Sequence, residues 1–236
     1  MLCGSARGAD TLYVSVSSLS YAWGADLTAT YTVTAQALRR LAAAAHVAAP
    51  GIEVSARSQR IARVVRRRDG FRVVMGPVLL TAPEPVLMGV LAHEVAHIAL
   101  GHPAMLRRLR VAVGAVVVLI STLLFFLAVF ILQGSGNAWL WAIEAVALLA
   151  VMLAPRVVLL AVVRRYEYRA DQTAAELLGS SGPVIAVLDW LPTVGRDDRW
   201  PLPVRPWTSA HPSTAARRQA MLRHDVDLLG QASEGR

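Results

Sequence analysis

Two short strings in this chain carry side chains that hold cations and move protons. The first is His93-Glu94-Val95-Ala96-His97. Two histidines four positions apart lie one turn above the other on a single helix face, so both imidazoles can reach one ion. Glu94, beside them, can take a proton from a water held there. Imidazole pairs suit Zn²⁺, and a zinc that does chemistry needs three protein ligands and an open position. The longer pattern that supplies a third histidine fails here, because its glycine position is Leu100 and its histidine position is Pro103. The second string, Glu167-Tyr168-Arg169-Ala170-Asp171, offers a carboxylate instead. Glu167 is the expected third ligand. Asp171, one turn on, is placed to accept the N–H of a liganding imidazole and fix its tautomer.

These residues need elements to position them. Leu91, Ala92, Val95, Ala96 and Ile98 flank the motif, as in a helix that crosses a core. Thr81-Ala82-Pro83-Glu84 reads as a capping box, so this helix is expected from about residue 82 to Gly101. Upstream, residues 27–49 read as an amphipathic helix, with Val33, Ala37, Leu38, Leu41 and Ala45 on one face and Pro50-Gly51 as the stop. Residues 52–81 read as strands, with Asp69-Gly70 as a two-residue hairpin turn. The strand 71–81 is expected to offer an edge to an extended peptide. Seven arginines from Arg57 to Arg72 should face solvent or lipid headgroups. Glu167 and Asp171 fall in a helix that continues to Gly179. The Trp- and Pro-rich stretch Trp190 to Trp207 is either a cover for the cleft or a packed loop.

Between the two strings lies the most apolar part of the chain. Val111 to Leu132 carries no charge over 22 residues. At 1.5 Å per residue that spans about 33 Å, enough to cross a hydrocarbon core. A short QGSGN turn follows at 133–137. A second run from Ala138 to about residue 160 opens with Trp139 and Trp141 at an expected aromatic belt. Glu144 sits near that interface, and Arg156 is near enough to the other end to snorkel. Arg107, Arg108 and Arg110 flank the first run, and Arg164, Arg165 and Arg169 the second; the turn has none. The basic flanks belong on the cytoplasmic side. The expected organisation is therefore residues 1–108 as the first part of a catalytic domain, 109–163 as a transmembrane hairpin, and 164–236 as the rest of that domain. Both termini are then cytoplasmic.

Composition agrees with a membrane protein. The chain has 236 residues and is 55% hydrophobic, above the usual soluble range. Net charge is +8, and all 24 basic residues are arginine, a usage that points to a high-GC bacterial genome. A basic surplus can also mark nucleic-acid binding, but no aromatic ladder accompanies the arginines. The bilayer is the simpler partner. Cys3 is the only cysteine, which excludes an intramolecular disulfide and a cysteine metal site. Residues 11–23 are apolar but short and rich in serine, and no secretory signal is expected. His46 and His224 read as ordinary.

The two strings together resemble the HtpX-like membrane zinc metalloproteases, which include the CAAX prenyl endopeptidases. The likeness covers about residues 71–224: HExxH with a further histidine at His102, two spans, an E-x-x-A-D segment at Glu167–Asp171, then His211-Pro212 and Arg217. It implies that His211 lies near the site and steadies an oxyanion or the substrate. It implies that Arg217 supports the same region by pairing with a carboxylate. His102 is expected to be structural. Two features of the family have no counterpart here: the extra spans before the HExxH helix, and an Asn-Ala segment leading into the substrate strand. The expected fold is α+β, mainly helical, with a small sheet and a two-helix transmembrane hairpin. The expected activity is zinc-dependent endopeptidase cleavage of a peptide or membrane protein, with a zinc-activated water and Glu94 as base. A membrane sensor built on a related protease domain and a non-catalytic scaffold with a vestigial site are the alternatives.

Overall fold

The computed structural model describes residues 25–55, 61–132, 138–194 and 211–234. Residues 11–23, Arg57, Arg60, the QGSGN turn and most of Trp190–Trp207 lie outside these ranges. The elements in order are α1 (Ala25–Ala44), β1 (Gly51–Val54), β2 (Ala62–Arg67), β3 (Gly70–Met75), a short α2 (Pro77–Leu80), α3 (Glu84–Ala99), α4 (His102–Leu132), α5 (Ala138–Leu178), α6 (Gly182–Trp190) with a 3₁₀ turn (Leu191–Val194), and α7 (Thr214–Glu234). This is a mainly helical α+β fold with one small sheet and two long apolar helices.

Helix α3 is the axis of the core. Val86, Leu87, Val90, Leu91, Ala92, Val95, Ala96 and Ile98 are all buried on it. A helix apolar on every side must be surrounded, and α1, α5, α6 and β2 surround this one. The closest approach is at Gly89. A Cβ there would stand 2.4 Å from the Pro183 carbonyl oxygen and 2.7 Å from a Val187 methyl carbon, so only glycine lets α6 seat against α3.

The start of α3 differs from the capping box read in the sequence. The helix begins at Glu84 with Pro83 as its cap residue and no side-chain cap. The Thr81 hydroxyl instead donates to the Val78 carbonyl, closing the short α2. Pro83 and Pro85 flank the start and impose their own φ, leaving no helical turn at 82–83 for Thr81 to cap.

Helix α1 stops at Ala44, five residues before the expected end. His46 takes a left-handed φ of 54°. The Val47 N–H reaches the Ala42 carbonyl, and the His46 N–H reaches that of Ala43. This is a Schellman stop with histidine where glycine is usual. The buried face carries Thr34, Leu38, Leu41 and Ala42, whereas Val33 is exposed.

The sheet order is β1-β3-β2, with β1 parallel and β2 antiparallel to β3. Arg67 pairs with Gly70, so Arg68 and Asp69 form the centre of the turn, one residue earlier than expected. Gly70 takes a φ of 131°, open to glycine. Strand β3 ends at Met75, and 77–80 is helical. β3 is also the central strand, so it has no free edge to offer a peptide. The free edges belong to β1 and β2, and β2 packs against α3.

α4 and α5 are long and apolar enough to cross a bilayer. Core helices of that composition would be buried, but these expose Leu119, Leu123, Phe125, Phe126 and Phe130 on α4, and Val146 and Leu149 on α5. An exposed apolar surface of this extent marks a membrane or protein contact, and helices of this length fit a membrane. Each helix also runs past the apolar stretch. α4 starts one residue after Gly101, whose φ of 67° ends α3. α5 continues unbroken through Pro155 to Leu178. Proline is tolerated inside membrane helices. Gly179, with a φ of 65°, ends α5 as expected.

Candidate metal centre

The site forms where α3 and α5 pack together. The Nε2 atoms of His93 and His97 are 3.1 Å apart on one face of α3. From α5, Glu167 places Oε2 3.6 Å from His93 Nε2 and Oε1 3.6 Å from His97 Nε2. In a tetrahedral zinc shell with bonds near 2.0–2.2 Å, neighbouring donors stand about 3.4 Å apart. The three donors bracket that spacing and could hold one metal ion. They are two imidazole nitrogens and a carboxylate, a donor set that suits Zn²⁺.

Around them lies a buried polar network. His93 Nδ1 is 2.9 Å from Asp171 Oδ1, leaving Nε2 turned toward Glu167. Arg217 grips Asp171 with two hydrogen bonds and also reaches Glu167, with Nη1 3.4 Å from Oε2. Arg217 is brought there by α7, whose first turn is capped: the Ala216 N–H donates to the Ser213 side chain. His211 stands just ahead of that cap. Its ring is 62% exposed, and its Nδ1 is 3.1 Å from Glu167 Oε2. It is thus an open rim beside an otherwise buried cluster.

Glu94 is buried next to the imidazoles, on the side of α3 that meets the sheet. Its carboxylate accepts the Val64 backbone N–H from β2. With Arg67 and Gly70 closing the hairpin, the N–H groups of Val64 and Arg66 point away from β3. The free edge of β2 therefore runs past the site.

Electrostatics separate these groups. Burial, then the charge of His93, pushes His97 down to about 3. Burial also disfavours charge on His93, yet the carboxylates of Asp171 and Glu167 beside it raise it to about 10. Burial raises Glu94. Glu167, although buried, is held well below the usual carboxylate range by His211 and His93. The cluster thus concentrates negative charge on Glu167 and Asp171 and draws positive charge toward the His93 ring.

The family model for peptidase family M48 matches residues 30–225. The chain belongs to peptidase family M48. No curated protein matches it. Among solved structures it is similar to the crystal structure of S. mikatae Ste24p, with a TM-score of 0.59 and 17% identity over 79% of this chain and 49% of that one. The two share a fold, and this chain spans about half the length of that relative.

Two residues of this M48 chain that touch the site had no site role in the sequence. His102 is 2% exposed, and its Nδ1 lies 2.8 Å from His97 Nδ1. Tyr166 stacks on the His102 ring at 4.1 Å and 7°. With His97 Nε2 facing Glu167, its Nδ1 is left to the His102 ring, as the Nδ1 of His93 is left to Asp171. The signal was present as the spacing His97 to His102 across Gly101, but only the left-handed turn at Gly101 folds the ring back.

Proposed function

We propose that this protein is a membrane-bound zinc metalloendopeptidase acting at the cytoplasmic face. The observation that carries this reading is the convergence of His93, His97 and Glu167 donor atoms within 4.8 Å of one another, with Glu94 beside them. In this reading those three residues hold the zinc. The metal would polarise the scissile carbonyl and acidify the attacking water. Glu94, raised by burial, accepts a proton from that water and returns it to the leaving amine. His93 is oriented by Asp171 and Arg217, and His97 by His102. The exposed rim residue His211 is positioned to donate a hydrogen bond to the oxyanion. An extended peptide would add to the β2 edge, whose outward N–H groups lead to Glu94. The arginines on both membrane flanks support the cytoplasmic orientation.

The test is metal content by mass spectrometry beside cleavage of casein and a membrane protein. Wild type should carry one zinc per chain and cleave. Glu94→Gln should keep its zinc and lose activity by about a hundredfold or more. Glu167→Ala should lose both. Full activity in Glu94→Gln would refute the reading. Zinc without cleavage in wild type would favour a non-catalytic scaffold.

A further inference from the structure

A second concave site lies away from the metal centre, on the side where the sheet meets the first membrane helix. It is a cleft of about 830 Å³ lined by Arg66, Arg67, Arg68, Asp69, Pro103, Ala104 and Arg107. Two of its charges are already matched: Arg67 Nη2 is 3.2 Å from Glu53, and Asp69 is 2.6 Å from Arg72. Among the described residues no carboxylate pairs with Arg66, Arg68 or Arg107. The Arg66 guanidinium stands 5.9 Å over the Phe71 ring, which fixes its position without neutralising it. Three exposed cations therefore converge on one opening from two different elements, a hairpin tip and a helix start. Mutual repulsion disfavours that arrangement unless an anion fills it.

Depth identifies the anion. Arg107 precedes the first apolar residue of the span, Val111, by four positions on the continuous helix α4. Four residues rise about 6 Å. The headgroup layer extends roughly 5–7 Å beyond the hydrocarbon on each side. Arg107, and with it the cleft it lines, thus stands at phosphate level. Arginine forks match phosphate oxygens in pairs.

We propose that this cleft binds the headgroup phosphate of an anionic phospholipid. Bound there, the lipid ties the β2–β3 hairpin to the membrane surface. The Val64 N–H that meets Glu94 is only two residues from Arg66, so the lipid also holds the β2 edge in place.

The full-length chain in neutral detergent, titrated with phosphatidylglycerol or phosphatidylcholine and read by native mass spectrometry, tests this without any need for protease activity. Wild type should retain one phosphatidylglycerol in preference to phosphatidylcholine. The triple variant R66Q/R68Q/R107Q should lose that preference by about a hundredfold, at several-fold per arginine. R39Q/R40Q/R223Q, with the same net charge but arginines outside the cleft, should keep it. If the cleft triple variant does not fold, R68Q alone, at the exposed hairpin tip, should show a several-fold loss. Equal retention of both lipids by wild type would overturn the proposal, as would an unchanged preference in the cleft variants. Inorganic phosphate supplies the last arm. Retention of phosphate without preference for phosphatidylglycerol would assign the cleft to a soluble anion and overturn the lipid.

Discussion

Arg217 and Asp171 form a two-pronged ion pair, Nε to Oδ2 at 2.7 Å and Nη2 to Oδ1 at 2.6 Å. The same Oδ1 lies 2.9 Å from His93 Nδ1. Arg217 therefore holds the acid that stands against the imidazole, and both partners are buried. Asp171→Asn removes the charge but keeps the shape. It should weaken zinc binding about 10- to 100-fold. Arg217→Lys keeps the charge but loses the fork, and should weaken it in the same direction. Competition against a fluorescent chelator measures both. Unchanged affinity in Asp171→Asn would show that His93 needs no such support.

His102→Phe separates packing from hydrogen bonding. Phenylalanine can keep the stack on Tyr166 but gives His97 Nδ1–H no acceptor. Zinc affinity should fall about 10-fold or more, while the far-ultraviolet circular dichroism stays that of wild type. A variant with wild-type zinc affinity would reduce His102 to a filler of space.

Gly89→Ala probes the α3–α6 contact. The new methyl group would press on the Pro183 carbonyl, a backbone atom that cannot rotate aside. Overpacking of this kind costs about 1–3 kcal/mol, and the close contact places it at the upper end. A lower melting temperature is expected, with zinc stoichiometry retained in the folded fraction. A variant as stable as wild type would mean that α6 can shift freely.

Metal removal should be felt as stability. A ligand present at about a thousand times its Kd stabilises the folded state by about 4 kcal/mol. A chelator should therefore lower the melting temperature of wild type, and Zn²⁺ should restore it where Mg²⁺ does not. The same chelator should leave Glu167→Ala unmoved. Equal sensitivity of the two would place the metal elsewhere.

The parts of the site that could be read in the sequence were those set by local geometry. HExxH fixes two rings on one helix face because helices repeat every 3.6 residues, and the glycines at 101 and 179 mark helix ends because they sit at left-handed positions. The unbroken course of α5 was hidden, because Pro155 and Arg156 interrupt the apolar run without breaking the helix. The central place of β3 was hidden too. Strand order depends on where β1 returns, and no residue in 70–75 records it. The start at Thr81 misled because a capping box is a four-residue pattern, and two prolines within it and beside it decide otherwise. His102 reads as structural from the sequence, because no local pattern records that the turn at Gly101 folds its ring back to His97.

Glu167 stands on the same helix as the second long apolar run, four residues beyond Val163, and only Leu100 and Gly101 separate the histidine helix from the first. Four helical residues measure about 6 Å. The distance from hydrocarbon to the carboxylate is thus built into α5 as on a ruler. A strand entering along β2 advances about 3.3 Å per residue. Under the proposed function, bonds within a few residues of a membrane anchor would then come level with the imidazoles, and a bond far out on a soluble domain would first have to be drawn down to the lipid surface.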